Sequence, residues 1–524
     1  MFNEPSPRLW WATLAVVLAL LLFPLLLVDV PPLLDYPNHL ARLFVLAFPN
    51  DPALSKIYGQ RWSIAPNLAI DVLAPPLLRV LPVYVAGRLV IAVTLLVQVL
   101  GCVAYSRAAF GRRSLWPMAS AIVAYNATFL LGFLNFQISL GLALLAGAGW
   151  CVWADRRPRA TAFGGALCAT AIFFCHIFGV LFLGVVIGAR EAVSLWRIRR
   201  ERAVAARRAT LRGAMLACVF APTIVLYLLA PLSNDHGPVK VLPWSVKLIW
   251  LFGGVAHYSL MIALLTALVL LAVLYALLSR RRLRVAAGVP LAALALFAAY
   301  LVTPSTAMST AFLDTRFPIM LALLLFGGCA PRGLSRRAGA LLFGVLGTLL
   351  LVRTAGIAGV WRSYGGDVAA LRAVIAPVEP GARVIVASVD FRNNAAYWTT
   401  SRPGHYLPGF VPLDSHLGAL LTIERKAFWP MLFTMRTKQP LRVLAPYDRI
   451  AVPQGKPPDI GLLADPSRVR PEDEAGYLAD WPRDFDYVLL LDPMAAGTAA
   501  AVLPDRLTLL RVNAMAALYR VRRP

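Results

Sequence analysis

One short stretch gathers three residue types suited to an anionic substrate: Asp29-Val30-Pro31-Pro32-Leu33-Leu34-Asp35-Tyr36-Pro37-Asn38-His39-Leu40-Ala41-Arg42. A carboxylate can take the proton from an attacking hydroxyl. An imidazole or a guanidinium can hold a phosphate while negative charge builds on it. Asp35 is therefore the general-base candidate, and His39 and Arg42 are candidates for binding the phosphate or the substrate. Farther along, His176 interrupts an apolar run and Asp314-Thr315-Arg316-Phe317-Pro318 opens another. His176, Asp314 and Arg316 complete the set, with Arg316 first and His176 second for the phosphate. Each residue also has a plainer reading. Asp314 and Arg316 would make an interfacial ion pair, and His176 a packing histidine. Asp235 and His236 would mark a solvated turn, and Asp71 would decorate a surface helix.

The elements that must position these groups follow from local rules. Proline disfavours α conformation in the residue before it, so a helix is expected to open at Pro37 with Tyr36 at its cap. Asp35 then sits ahead of that helix, where unpaired backbone N–H groups favour negative charge. His39 and Arg42, three residues apart, share a face of it.

The helix is expected at a membrane. Of 524 residues, 59% are hydrophobic, and the chain carries many apolar runs near bilayer length. Trp10 to Val28 reads as a retained first span anchored by Trp10 and Trp11, and residues 29–66 as a long polar loop. Asn67 to Leu81 is too short and interrupted to cross, so it reads as interfacial. Further spans are expected at Val83–Ser106, Leu115–Leu131, Ile138–Trp153, Gly213–Ala230, Leu260–Leu278, Val285–Val302, Phe317–Gly328 and Ala338–Ala358. Asn135 and Gln137 fall at a hairpin tip. Thr161 to Ala189 has basic loops at both ends, so it should enter and return, turning near Cys175-His176-Ile177-Phe178-Gly179.

The net charge of +25 is less telling than its placement. Up to residue 360 there are ten acids against 31 bases, and about 22 of those bases lie in loops assigned to one side. That asymmetry places the N-terminus in the cytoplasm and the last span's end outside, and it argues against a nucleic-acid partner. Arg190 to Arg212 is the most basic loop and is expected as an amphipathic surface helix on anionic lipid. The six cysteines lie in or beside apolar spans without metal-ligand spacing, so no metal site or disulfide framework is expected. With this orientation Asp35, His39, Arg42, His176, Asp235, His236, Asp314 and Arg316 share the outer side.

From Trp361 to Pro524 the charges balance and the apolar runs shorten. Arg383–Val389, Tyr487–Leu491, Leu507–Val512 and Ala517–Val521 read as strands, and Asp367–Ala376 and Glu472–Asp480 as helices. The expected architecture is thus a polytopic α-helical membrane protein of about 11 transmembrane helices over residues 1–360, with a C-terminal soluble α/β domain over 361–524.

Many spans, a long outer loop with an acid near its start and a C-terminal outer domain resemble the GT-C glycosyltransferases. In the protein mannosyltransferase-like branch that loop often shows an acidic pair followed by His or Arg, and Asp35-Tyr-Pro-Asn-His39-Leu-Ala-Arg42 looks like a variant. Asp314-Thr-Arg316-Phe317-Pro318 is similar to the branch's late Arg-aromatic-aliphatic-Pro motif. The resemblance covers roughly residues 1–360. It departs in having a single Asp35, with Asp51 farther along the loop, and a shifted spacing to His, which leaves a divalent cation and the acceptor open. It implies sugar transfer from a polyprenyl-phosphate donor on the outer face, with lipids as partners and no resident cofactor. Arg-rich, Lys-poor usage fits a GC-rich bacterial genome, so that face is expected to be the periplasmic side of a bacterial inner membrane. The competing readings are a transporter or lipid flippase without covalent chemistry, which would favour internal repeats, and a membrane-anchored assembly protein.

Overall fold

The computed structural model describes residues 4–235, 237–388, 404–408, 411–453, 455–469, 476–493 and 506–523. His236 and Val389 lie outside the described residues. The chain divides into two compact units. The first comprises Met1–Leu26, Ile64–Ile70 and Leu89–Ala358; the second comprises Leu27–Ser63, Asp71–Arg88 and Gly359–Pro524.

Among the described residues, eight helices are long and apolar enough to cross a membrane: Pro7–Leu26, Val83–Phe110, Leu134–Trp153, Pro158–Cys175, Ile177–Arg197, Arg202–Leu229, Leu260–Ser279 and Arg336–Ile375. The protein is a multi-pass helical membrane protein. Other stretches expected to cross form shorter elements. Leu115–Leu131 becomes a 3-10 helix, Trp116–Val123, and a single turn, Ala127–Leu130. Asn126 separates them because its side chain accepts the Phe129 N–H and so starts a new helix. Val289–Val302 has 14 residues and Phe317–Gly328 has 12. At 1.5 Å per residue the latter is about 18 Å long, short of a ~30 Å hydrocarbon layer.

Within the first unit the helices pack closely where side chains are smallest. A Cβ on Gly141 would lie 2.4 Å from the Val97 carbonyl oxygen, and one on Gly101 would lie 2.6 Å from the Gly141 oxygen. Backbones that touch in this way gain dispersion without needing a hydrophobic effect inside a bilayer. The run Thr161–Ala189 is broken at His176, whose extended backbone (φ −169°, ψ 138°) separates Pro158–Cys175 from Ile177–Arg197. The basic segment Arg190–Arg212 is no separate surface helix. Helix Ile177–Arg197 runs into it, and Arg202–Leu229 leaves it after a short connection. Trp10 is also no interfacial anchor: it is 4% exposed and its indole N–H donates to the Ser114 carbonyl, whereas Trp11 is 60% exposed.

The second unit is built differently. Val384–Ala387, Tyr487–Leu491, Ala516–Val521 and Leu507–Val512 form one sheet in that spatial order. The first pair is parallel and the other two antiparallel. Tyr487–Leu491 is flanked on both sides and all five residues are buried, which suits its unbroken apolar sequence. Asp367–Ala376 is not a separate helix but the end of Arg336–Ile375, a 40-residue helix. Of Glu472–Asp480, the described part is a 3-10 turn, Gly476–Leu478.

Candidate functional site

The opening motif lies in the second unit, where the sequence rules largely hold. Helix Tyr36–Ala47 starts with Pro37 in its first turn and Asp35 as the capping residue. The Asp35 side chain makes no capping hydrogen bond. Its carboxylate instead lies 3.4 Å from Nε2 of His416, at 17% exposure against 9% for the imidazole.

Asn38 fixes that imidazole. Its amide is fully buried and lies 3.0 Å from His416 Nδ1 while also donating to the Met431 carbonyl at 2.9 Å. Its oxygen accepts the Phe433 N–H at 2.8 Å. An amide nitrogen only donates, so Nδ1 must accept and the ring proton belongs on Nε2, facing Asp35. The 3-10 segment Leu413–Ala419 carries His416 and, two residues earlier, Asp414. Asp414 accepts from Tyr364 Oη at 3.2 Å and contacts His405 Nδ1, whose Nε2 lies 3.0 Å from Asp367. His405 is thus a buried ring between two carboxylates.

His39 and Arg42 are both engaged by the protein's own groups. The His39 ring is half-buried and packs edge-on against Phe433 at 5.3 Å. Burial pushes its pKa well below the usual histidine range, and the neighbouring Arg42 and His416 push the same way. It is neutral at neutral pH. Arg42 is held by Asp71 in a two-pronged pair, Nε–Oδ1 at 2.7 Å and Nη2–Oδ2 at 3.1 Å, with both side chains 1% exposed. Asp71, expected to decorate an interfacial helix, is buried on Ala69–Val80 and serves as the counterion. The reason is electrostatic: a buried guanidinium is tolerated only with its charge matched by a counterion.

His176, Asp314 and Arg316 belong to the first unit. His176 accepts the Phe178 N–H on Nδ1 at 3.1 Å, capping the helix that follows it. Its Nε2 lies 3.1 Å from Arg316 Nη1. Both ring nitrogens thus face a donor, and a neutral imidazole has one lone pair to offer, so the Phe178 N–H and the Arg316 guanidinium compete for it. The guanidinium carbon lies 5.2 Å from the Phe133 ring, 5.7 Å from Phe136 and 5.1 Å from Phe178. Asp314 does not pair with Arg316 but lies 3.8 Å from Lys247, at zero exposure. Lys247 donates to the carbonyls of Tyr300, Leu301 and Thr303 at 3.3, 3.2 and 2.7 Å, closing the end of helix Val289–Val302.

The remaining polar residues of the sequence reading are local fasteners in the same unit. Asn135 accepts the Ile70 N–H and donates to the Asn67 carbonyl. Gln137 donates to Asn126 and Thr128. Asp235 accepts from the Gly237 N–H and the Ser309 hydroxyl.

The structure therefore joins Asp35 to His416 within one unit and His176 to Arg316 within the other. His416 and Asn38 were not singled out from the sequence. Asn38 lay inside the motif, but its partners are far downstream, and His416 sits in a stretch without a repeat or recognisable spacing. Among the described residues no group of three or more His, Cys, Asp or Glu is placed to hold a metal ion. No family model matches the chain, and neither the curated proteins nor the solved structures give a match.

Proposed function

We propose that the protein is a membrane glycosyltransferase that moves a sugar from a polyprenyl-phosphate donor to an acceptor hydroxyl at the outer leaflet. The observation that carries this reading is the Asp35 carboxylate, partly open to solvent, unused by its own helix and set beside an imidazole N–H whose direction a buried amide fixes. In this scheme Asp35 takes the acceptor's proton as the new glycosidic bond forms and the bond from the anomeric carbon to the phosphate oxygen breaks, releasing polyprenyl phosphate. His416 positions Asp35 and steadies the charge distribution around it. In the first unit, the Arg316 guanidinium, which His176 Nε2 meets at 3.1 Å, offers donors of the kind a phosphate oxygen accepts. His39 and Arg42 act through the packing that places Asp35 and His416.

The wider setting belongs to the same proposal. About 11 crossings, a cytoplasmic N-terminus and a C-terminal α/β domain in the periplasm of a bacterial cell would put Asp35 on the side where lipid-linked sugars are consumed. The basic loops, which carry most of the first 360 residues' arginines, support that orientation.

The test is sugar transfer by the full chain reconstituted in bilayers with a panel of polyprenyl-phosphate sugars. Asp35→Asn should abolish transfer while thermal stability and donor binding persist. Unchanged transfer in that variant would remove Asp35 from the mechanism. A substrate gradient built without bond cleavage would replace the enzyme by a transporter.

A further inference from the structure

The basic connection between Ile177–Arg197 and Arg202–Leu229 holds a shallow groove of about 520 Å³, wide open to the surroundings, that the proposed chemistry does not use. Ala192, Leu195, Ala206 and Ala209 contribute to its apolar lining, and Trp196 and Arg199 stand along it. Trp196 is 63% exposed, with the Arg199 guanidinium carbon stacked 3.8 Å from its ring centre and Arg199 Nη1 donating to the Trp196 carbonyl at 2.7 Å. An exposed tryptophan of this kind belongs at a membrane–water boundary.

The charge around the groove is one-sided. Arg197, Arg199, Arg200, Arg202 and Arg207 are all exposed, against a single acid, Glu201, in the same connection. The neighbouring Arg208 and Arg212 are committed inward. Arg208 pairs with Asp155 at 3.1 Å, and Arg212 contacts Asp155 and lies 3.2 Å from Glu191. Glu191 in turn accepts from the Trp150 indole at 2.8 Å. The acids of this region thus neutralise the inner arginines, and the outer ones keep their charge for the surroundings.

We propose that this groove is a binding site for one anionic phospholipid. An acyl chain lies along the alanine-lined floor beside Trp196, and the phosphate meets Arg199 and its neighbouring arginines. Both halves of the ligand are called for: an apolar floor alone would take any lipid, and arginines alone would take any anion. The alanines make the floor, since larger side chains would fill it. The site does not depend on the proposed sugar transfer.

The experiment is native mass spectrometry of the full chain, released from detergent with equal dioleoyl phosphatidylcholine and dioleoyl phosphatidylglycerol. The intact protein should retain one phosphatidylglycerol in preference to phosphatidylcholine. Ala206→Phe should lose that lipid, whereas Ala203→Phe, on the same helix but away from the groove, should keep it. Arg199→Gln should weaken retention about fivefold, the effect of one cation near an anionic surface. Thermal melting of each variant reports whether folding has changed. Retention unchanged in both Ala206→Phe and Arg199→Gln would overturn the proposal. So would displacement of the lipid by glycerol phosphate, which would reduce the site to a headgroup contact without a groove, or equal retention of the two lipids.

Discussion

His416 and His176 are the same side chain held in two different ways. The Asn38 amide offers only N–H to Nδ1 of His416, so that ring accepts there and aims the N–H of Nε2 at a carboxylate, Asp35. His176 meets a donor at each nitrogen, the Phe178 N–H at Nδ1 and Arg316 Nη1 at Nε2. A neutral imidazole accepts from only one of the two. What the imidazole does is thus decided less by the ring than by which group holds its other nitrogen and what lies beyond.

The sharpest way to break this comparison is to remove the acceptor in front of His416. Asp35→Asn should lower sugar transfer by about 10²-fold or more, the usual reach of a positioned general base, with little change in melting temperature. Donor turnover in bilayers measures it. Next in size is a stability effect. The second unit's own guanidinium, Arg42, is pinned by Asp71, so Asp71→Asn should destabilise the fold by about 3–5 kcal/mol. The double variant Arg42→Met, Asp71→Leu should restore most of that loss in a thermal melt, because no buried charge is then left over.

Changing the donor in front of His176 addresses the other half. Arg316→Gln should raise KM for the lipid-linked donor about tenfold or more, as loss of one charge-assisted hydrogen bond does, and move kcat less. An equal fall in kcat alone would mean that Arg316 acts later than binding. Asn38→Leu should cost about 1–3 kcal/mol by leaving the Met431 carbonyl and Phe433 N–H unpaired. Nitrogen chemical shifts of His416 in that variant should show mixed tautomers. Unmixed shifts would mean that Asp35 alone orders the ring.

The smallest effect is a pH dependence. His39 is held neutral in the fold with its pKa well below 6.5, chiefly by burial. Below 6.5 the unfolded chain therefore binds more protons at this site than the folded one. Its contribution is fully present above 6.5 and falls as the pH drops, by at most about 1.4 kcal/mol per pH unit until the folded pKa is reached. Melting temperatures of the native chain and His39→Asn, compared at pH 7.5 and 5.5, isolate it. A steeper acid loss in the native chain is the expected result.

Much of the local structure was legible without coordinates because short-range physics sets it. The break in Thr161–Ala189 at His176 followed from length and flanking charge. A helix start beside Pro37 was legible too, but the steric rule for residues before proline put Tyr36 at the cap, whereas the helix begins at Tyr36 and Asp35 is the cap. The stretches Tyr487–Leu491 and Leu507–Val512 read as strands and are strands. The misreadings were of a different kind. Leu115–Leu131 is apolar enough to cross, yet Asn126 divides it. Asp71 looks like helix decoration until Arg42, 29 residues away, is seen against it.

The sequence alone determined that this chain enters a bilayer many times, because the transfer of apolar runs out of water depends on composition and length. It also located a helix start to within one residue of Pro37, because proline suits the first turn of a helix. Only tertiary structure decided that Asp35 faces His416, that Asn38 directs that ring across 378 residues, and that Arg42 is already neutralised. Hydrogen bonds and buried ion pairs depend on ångström distances between segments, and no periodicity or propensity along the chain encodes those distances.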